Sequence, residues 1–478
     1  GILSISYFYI KHKNNIKFDY LGILLLLLSI SYLLPIIFNN YSSLNDSLSE
    51  FIRYFNIYII YKIVKLSENK KIFKFTLIYL GVFLGIIGID GISNRFLEGI
   101  LKYFSSGYLN IDLTRMSSTI QYANALAIIL LVSSIIVFEE LSKSLTENAK
   151  SKIVLNYSIL FFNLFCIVLT QSRTVMLIAF IYTFVYFIKN KNIEMIYIIL
   201  ILILQTAISS VFAFKYLYIN TIYIYYLTIV SLIGIIFIAY CIYLIRKNEK
   251  VTKILFSKYK IIFSSIFLLG LVYVIVGINI YSPLKISEFS KDTVKRYVHN
   301  VEKDGVNTLK FSVSSDTEDS RYRINIYKIS DSKELIKTFE YYNTVSGDFE
   351  FEFNGDNNIK SIELEFECYK GNIIVKNASL NEKNIKLNYV LLPTDIVYKL
   401  EDAIYGADSV NARILYVKDA LRIWNLSLKN RIIGIGGEGF KNTYQLIQDE
   451  NYTSTEVHNS FIQILVESGI IGFIIIVS

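Results

Sequence analysis

The chain has 478 residues, of which 53% are hydrophobic and only 18% charged, with a formal net charge of +8. That balance excludes an ordinary soluble globular protein, and the basic residues sit in short connections between long apolar runs, which points to membrane topology rather than nucleic acid. Three scattered cysteines, Cys166, Cys241 and Cys368, exclude a disulfide framework and a cysteine metal cluster.

In chain order, apolar runs long enough to cross a bilayer fall at roughly 1–10 (partial), 20–39, 51–66, 72–92, 119–138, 153–170, 173–188, 193–213, 220–245, 261–281 and 460–478. A crossing helix needs about 20 residues, so about eleven spans are expected. Basic connections at 11–19, 62–74, 189–191 and 246–260 all fall on one side if the spans alternate, and 139–152 is neutral. The opposite side receives the acidic stretch 40–50 and the long segments 93–118 and 282–459. Arg95, Arg115, Arg173, Arg413 and His458 then all lie at the outer face. Arg173 sits in 168-VLTQSRTVML-177 between two spans with almost no loop, where an arginine should be paired or face a polar cavity. The chain opens without methionine and stops inside IIIVS, so it reads as a fragment at both ends. Its wealth of Ile, Lys, Asn and Tyr suggests an AT-rich bacterial genome.

Residues 299–390 change character. Apolar and polar residues alternate in 307-NTLKFSVSS-315, 321-RYRINIYKI-329, 349-FEFEFNG-355 and 361-SIELEFECY-369, and 373-IIVKNASL-380 closes the series. A period of two, with turns at 330–334 and 354–358, predicts half-buried strands of a small β-sandwich or jelly roll. Its alternating aromatics suit a packing or docking role, and glycan contact is the other reading.

The chain then returns through 411-NARILYVKDALRIWNLSLKNRIIGIGGEGF-440. Arg413, Val417, Ala420, Leu421, Trp424 and Leu428 recur at helical spacing, so Trp424 reads as a packing or interfacial anchor. Arg413, near the start of that stripe, offers a rigid fork of donors for phosphate oxygens. The four glycines of 434-GIGGEGF-440 match neither a P-loop nor a dinucleotide fingerprint and indicate tight turning or close backbone approach. In 454-STEVHNSFIQILVESGIIGF-473, Asn459, Gln463 and Glu467 share one face of an apolar helix that His458 precedes. On residue chemistry alone, His458 is either a helix-capping residue or a proton-exchanging group at the mouth, and a buried Glu467 faces a bundle interior.

Taken together, Arg413, Trp424, the Gly-rich loop and 458-HNSFIQILVESGIIGF-473 resemble the O-antigen ligase and polymerase superfamily of integral membrane glycan transferases. The stretch 170-TQSRT-174 is similar to the family's arginine motif, and 115-RMSSTIQYANALA-127 is similar to Gram-positive members. The resemblance covers about residues 115 to 473, with the β-rich insert outside the common core. It implies transfer or polymerisation of undecaprenyl-diphosphate-linked oligosaccharide at the outer face of a bacterial cytoplasmic membrane, onto a glycan or other surface acceptor, in membrane lipid, without metal, nucleotide or nucleic acid. Under it, His458, Arg413 and Arg173 are catalytic, and beside them Arg95, Arg115, Gln121, Asn459, Gly436 and Gly437 are expected to bind substrate. Gln463, Glu467 and Trp424 give structural support.

The chemistry of these residue types fits. Glycosyl transfer from a diphosphate needs positive charge at the leaving group and a base for the attacking hydroxyl. The expected architecture is mainly α: a polytopic helical bundle over 1–285, an extracytoplasmic β-sandwich or jelly roll over 299–390, a helix and Gly-rich loop over 391–459, and a further membrane helix from 460. A transporter or flippase, which would show internal repeats, and a membrane-anchored glycan-binding or sensing protein are the alternatives.

Overall fold

The computed structural model describes residues 19–67, 69–92, 97, 115–120, 122–190, 193–216, 236, 249–287, 294–298, 301–315, 320–330, 333–342, 346–356, 358–359, 361–392, 397, 408–448 and 453–478. In chain order the helices are α1 (Tyr20–Ser31), α2 (Leu34–Ile37), α3 (Leu44–Leu66), α4 (Lys70–Ile92), α5 (Ala123–Thr146), α6 (Lys150–Leu169), α7 (Arg173–Asn190), α8 (Ile193–Tyr216) and α9 (Glu249–Asn279). The strands among the described residues follow: β1 (Tyr281–Ser282), β2 (Leu284–Ser287), β3 (Val294–Val298), β4 (Val306–Ser315), β5 (Arg321–Ile329), β6 (Lys333–Tyr342), β7 (Ser346–Asn354), β8 (Ser361–Lys370), β9 (Asn372–Leu380), β10 (Lys383–Asn384) and β11 (Asn388–Tyr389). The chain closes with α10 (Asp408–Asn425), α11 (Leu428–Ile433), α12 (Gly439–Thr443) and α13 (Ser460–Val477).

Among the described residues, five apolar stretches are long enough to cross a bilayer: Tyr20–Ile37, α4, α5, α6 and α13. The expected count of eleven is not confirmed among the described residues. The segment expected at 51–66 belongs to a longer helix, α3, which carries Asp46, Glu50, Arg53, Lys62 and Lys65. Within α7, α8 and α9 the described apolar stretches are Arg173–Tyr186, Tyr197–Val211 and Leu268–Asn279, which do not by themselves reach a spanning length. The runs at 1–10 and 220–245 lie outside the described residues.

Two compact units divide the chain: Gly1–Phe73 with Asp402–Ser478, and Lys74–Glu401. The first unit is punctuated by caps. Asp19 accepts from the Gly22 amide at 3.1 Å to start α1, Pro35 sits in the first turn of α2, and Ser43 accepts from the Asp46 amide to start α3. Its second half packs α10, α11 and α13 around Ala420, Ile423, Phe440, Val457 and Val466, all nearly solvent-free. The stripe read from sequence stops early, because α10 ends at Asn425 and Leu428 opens a new helix capped by Ser427.

In the second unit α4, α5 and α6 pack closely. A Cβ at Gly81 would lie 2.7 Å from Ser133 of α5, and one at Gly85 would lie 2.6 Å from Phe162 of α6. Gly81 and Gly85 stand one turn apart, the small-residue spacing that lets membrane helices approach. Asn163 and Ser133 close this contact with a 2.9 Å hydrogen bond.

The β-rich region consists of two antiparallel sheets, β10-β9-β4-β7 with β2 also paired to β9, and β3-β8-β5-β6. Their inner faces share one core, including Leu309, Phe311 and Val375 from one sheet and Ile324, Leu364 and Phe366 from the other. This is the alternation expected of a sandwich. Entry and exit are tied together, since β1 pairs with β11 through Tyr281↔Tyr389 and Ser282↔Asn388. Strands β2 and β3 lie ahead of residue 299, and charged residues interrupt in β3 and β6 the alternation that marks the other strands.

Candidate functional site

The Gly-rich loop is explained by its packing. Helix α13 breaks at Gly469, whose φ is 67°. The carbonyls of Val466 and Glu467, just ahead of the break, accept from the amides of Ile435 at 3.0 Å and Gly436 at 2.9 Å. A helix interrupted inside an apolar layer needs such replacement donors. The approach is close: a Cβ at Gly434 (φ +77°) would lie 2.3 Å from Glu467 backbone, and one at Gly469 would lie 2.3 Å from the Ile432 carbonyl oxygen. Gly436 and Gly437 face α3 instead, where a Cβ would meet Ser47 Oγ at 2.1 Å and the Asp46 carbonyl at 2.5 Å. Both are buried, and the Gly437 amide donates to Ser47 Oγ at 3.1 Å.

Glu467 is the hub of this junction. Its side chain is 4% exposed. Tyr32 Oη donates to Oε2 at 3.0 Å and the Glu438 amide to Oε1 at 3.0 Å, while Gln463 Nε2 donates to Oε1. Three donors converge on one buried carboxyl group and offset part of the cost of burying it. Gln463 faces Glu467 one turn along α13, as their spacing implies, and its Oε1 accepts from the Val457 amide at 3.0 Å.

His458 follows directly, exposed and with φ of 56°. Asn459 then caps α13, its Oδ1 accepting from Phe461 at 3.1 Å and Ile462 at 3.3 Å. The His458 ring lies 5.7 Å from the ring of Tyr416 on α10. Arg413 is one turn before Tyr416 on that helix. Its guanidinium is exposed and makes no hydrogen bond or ion pair among the described residues. Trp424 is half-buried and donates from Nε1 to the Arg431 carbonyl at 3.1 Å, which ties α10 to α11.

Arg115 and Arg173 belong to the second unit. Arg115 donates to the Thr170 carbonyl at 3.0 Å and to Asn124 Oδ1 at 3.0 Å, and the Met116 amide donates to the Leu169 carbonyl at 3.1 Å. Those contacts dock the 115–120 segment on the end of α6. The tight turn Thr170–Ser172, with Gln171 at φ 55°, then delivers Arg173 to the first position of α7. Arg173 is exposed and makes no hydrogen bond or ion pair among the described residues. Arg95 and Gln121 lie outside the described residues.

Sequence reasoning missed the N-terminal side of the junction. Besides Tyr32 and Ser47, Asn40 Nδ2 donates to the Gly434 carbonyl at 2.7 Å and to Asn430 Oδ1 at 3.1 Å, and the Ser42 amide donates to the Ile435 carbonyl at 2.9 Å. The only local signal was a polar run, 39-NNYSSLNDS-47, following an apolar helix. Nothing in it names a partner some 390 residues away.

A family model described as O-antigen ligase matches residues 377–477, which include α10–α13 and the Gly-rich loop. No curated protein matches the chain. Among solved structures, one likeness is to "Family 16 Carbohydrate Binding Module-2", at 8% identity and a TM-score of 0.18, covering 21% of this chain and 76% of that one.

Proposed function

Because its C-terminal segment belongs to the O-antigen ligase and polymerase superfamily, we propose that this multi-pass membrane protein transfers or polymerises undecaprenyl-diphosphate-linked saccharides at the outer face of the cytoplasmic membrane. Surface polysaccharide is the product class. The observation that carries the reading is the turn at His458. Within the family-matched segment, an exposed histidine is held in a left-handed conformation beside the helix that bears an exposed Arg413.

In this mechanism His458 accepts the proton of the acceptor hydroxyl as the sugar oxygen attacks the anomeric carbon. The bond between that carbon and the phosphate oxygen breaks, and its electron pair leaves with the lipid diphosphate. Arg413 and Arg173 neutralise the charge accumulating there. Arg95, Arg115, Gln121 and Asn459 assist in binding, and Gly436 and Gly437 serve the site by letting the loop seat against α3. Gln463, Glu467 and Trp424 support the turn.

The test is reconstitution in lipid with an undecaprenyl-diphosphate oligosaccharide. Release of lipid diphosphate together with longer or transferred glycan is expected, and product size separates polymerase from ligase. His458→Ala or Arg413→Ala protein that folds normally and turns over at the parental rate would overturn the assigned roles.

A further inference from the structure

A chain of hydrogen bonds runs from the first membrane helix pair to the backbone beside His458. It starts at Tyr32, 0% exposed between α1 and α2, with its ring stacked on Tyr54 at 5.0 Å. Tyr32 Oη donates to Glu467 Oε2 at 3.0 Å, Gln463 Nε2 donates to Glu467 Oε1, and the Val457 amide donates to Gln463 Oε1 at 3.0 Å. Val457 is itself 0% exposed in the core shared by α10 and α13. The next residue is His458, with φ of 56°. A side chain other than glycine in that region costs about 1–3 kcal/mol and persists only where its surroundings over-determine it. Here Val457 is fixed on one side and Asn459, through its cap, on the other.

We propose that Tyr32 and Gln463 are positioning residues for His458, acting through Glu467 to hold the left-handed turn that presents the imidazole. The proposal rests on the functional reading above for what the imidazole does. Tyr32 lies outside the family-matched residues 377–477, so the first helices complete the geometry of a turn whose histidine comes from the C-terminal segment. A displacement of about 1 Å at a reacting group can cost about a hundredfold in rate, so a base on a strained surface turn gains from a buried anchor.

The discriminating variant is Tyr32→Phe, which removes the hydroxyl and keeps the ring on Tyr54. Full-length protein in lipid is followed by amide hydrogen exchange. The expected result is at least about tenfold faster exchange of the Val457 amide, with α5, α6 and the β-sandwich unchanged. Turnover is expected to fall about tenfold or more with the donor KM within about twofold, the signature of lost transition-state geometry rather than lost binding. In a His458→Ala background Tyr32→Phe should cost nothing further, since residues acting as one unit are non-additive. Gln463→Leu cuts the same chain at its middle and leaves Tyr32 on Glu467. If Tyr32→Phe loosens all of α1 and α13, the same exchange and turnover measurements on Gln463→Leu decide the question.

Unchanged Val457 exchange overturns the proposal, and so does a Tyr32→Phe loss that multiplies undiminished onto His458→Ala. Exchange needs no substrate, so the two readings fail separately. Parental turnover of His458→Ala would sink the functional assignment, whereas unperturbed Val457 exchange would sink the anchoring.

Discussion

At Gly434 and Gly469 the backbone has φ of +77° and +67°, and a methyl group at either would lie 2.3 Å from backbone atoms of the facing segment. Neither obstacle is a flexible side-chain end, so Gly469→Ala is expected to destabilise the protein by about 2–4 kcal/mol, read from unfolding in detergent or lipid. Gly270 in α9 provides the control: among the described residues nothing lies within 4 Å of a Cβ there, and Gly270→Ala should be neutral or add up to about 1 kcal/mol of helix propensity. Asn459→Ala removes the cap of α13 and should cost about 1 kcal/mol. Arg413 is exposed and has no hydrogen-bond or ion-pair partner among the described residues. Arg413→Ala is expected to lower donor turnover by about 2–5 kcal/mol of transition-state stabilisation, and Arg413→Lys, a point charge, should recover only part of it. A steady-state rate of donor cleavage measures both.

The β-sandwich and the junction show how elements use polar groups. On the outer face of the β3-β8-β5-β6 sheet, Lys295 Nζ lies 3.3 Å from Glu365 and 3.5 Å from Glu363, and Lys333 Nζ lies 3.1 Å from Glu363. Burial raises the Glu365 pKa, but donors from Tyr327 and Asn325 and the Lys295 ammonium outweigh it, so the carboxyl is held below its ordinary value. Burial would lower Lys295, but Glu363 and Glu365 hold it above its ordinary value. The carboxylate contribution is therefore full above the unfolded value of about 4.3 and is lost as pH falls through the lower folded value. The lysine contribution is full below about 10.4 and is lost as pH rises through the higher folded value. Hydrogen-exchange protection of β8, corrected for intrinsic rates, should be level from about pH 5 to 9 and decline below about pH 4. A profile that declines between about pH 5 and 7 would contradict this account of the sheet face.

For the whole molecule, topology is the decisive expectation. Single cysteines at positions 173 and 458, in a background lacking the native thiols, should react with an impermeant reagent from the extracytoplasmic side only. Access from the inside at either position would break the alternating arrangement and with it the common face of Arg173 and His458. Much of this was legible locally. Apolar length marked Tyr20–Ile37, α4, α5, α6 and α13 because a spanning helix must satisfy its backbone within one continuous segment. The period of two marked β4, β5, β7, β8 and β9 because alternate side chains face opposite sides of a sheet. The i, i+4 spacing alone put Gln463 on the same helix face as Glu467, where the two side chains meet. Charged edges hid β3 and β6, and a charged N-terminal half hid the full length of α3.

The sequence by itself determined the membrane class, the position of the inserted sandwich, and the residue types, arginine and histidine, from which the site is proposed. These follow from periodicity, apolar length and side-chain chemistry, which act over a few residues at a time. The tertiary structure decided what the Gly-rich loop is for. Its amides complete a broken helix and its glycines admit the backbones of α13 and α3. It also tied Tyr32 to Glu467 across 435 residues of chain. Such a pairing is set by where two distant elements pack, and no local pattern encodes that.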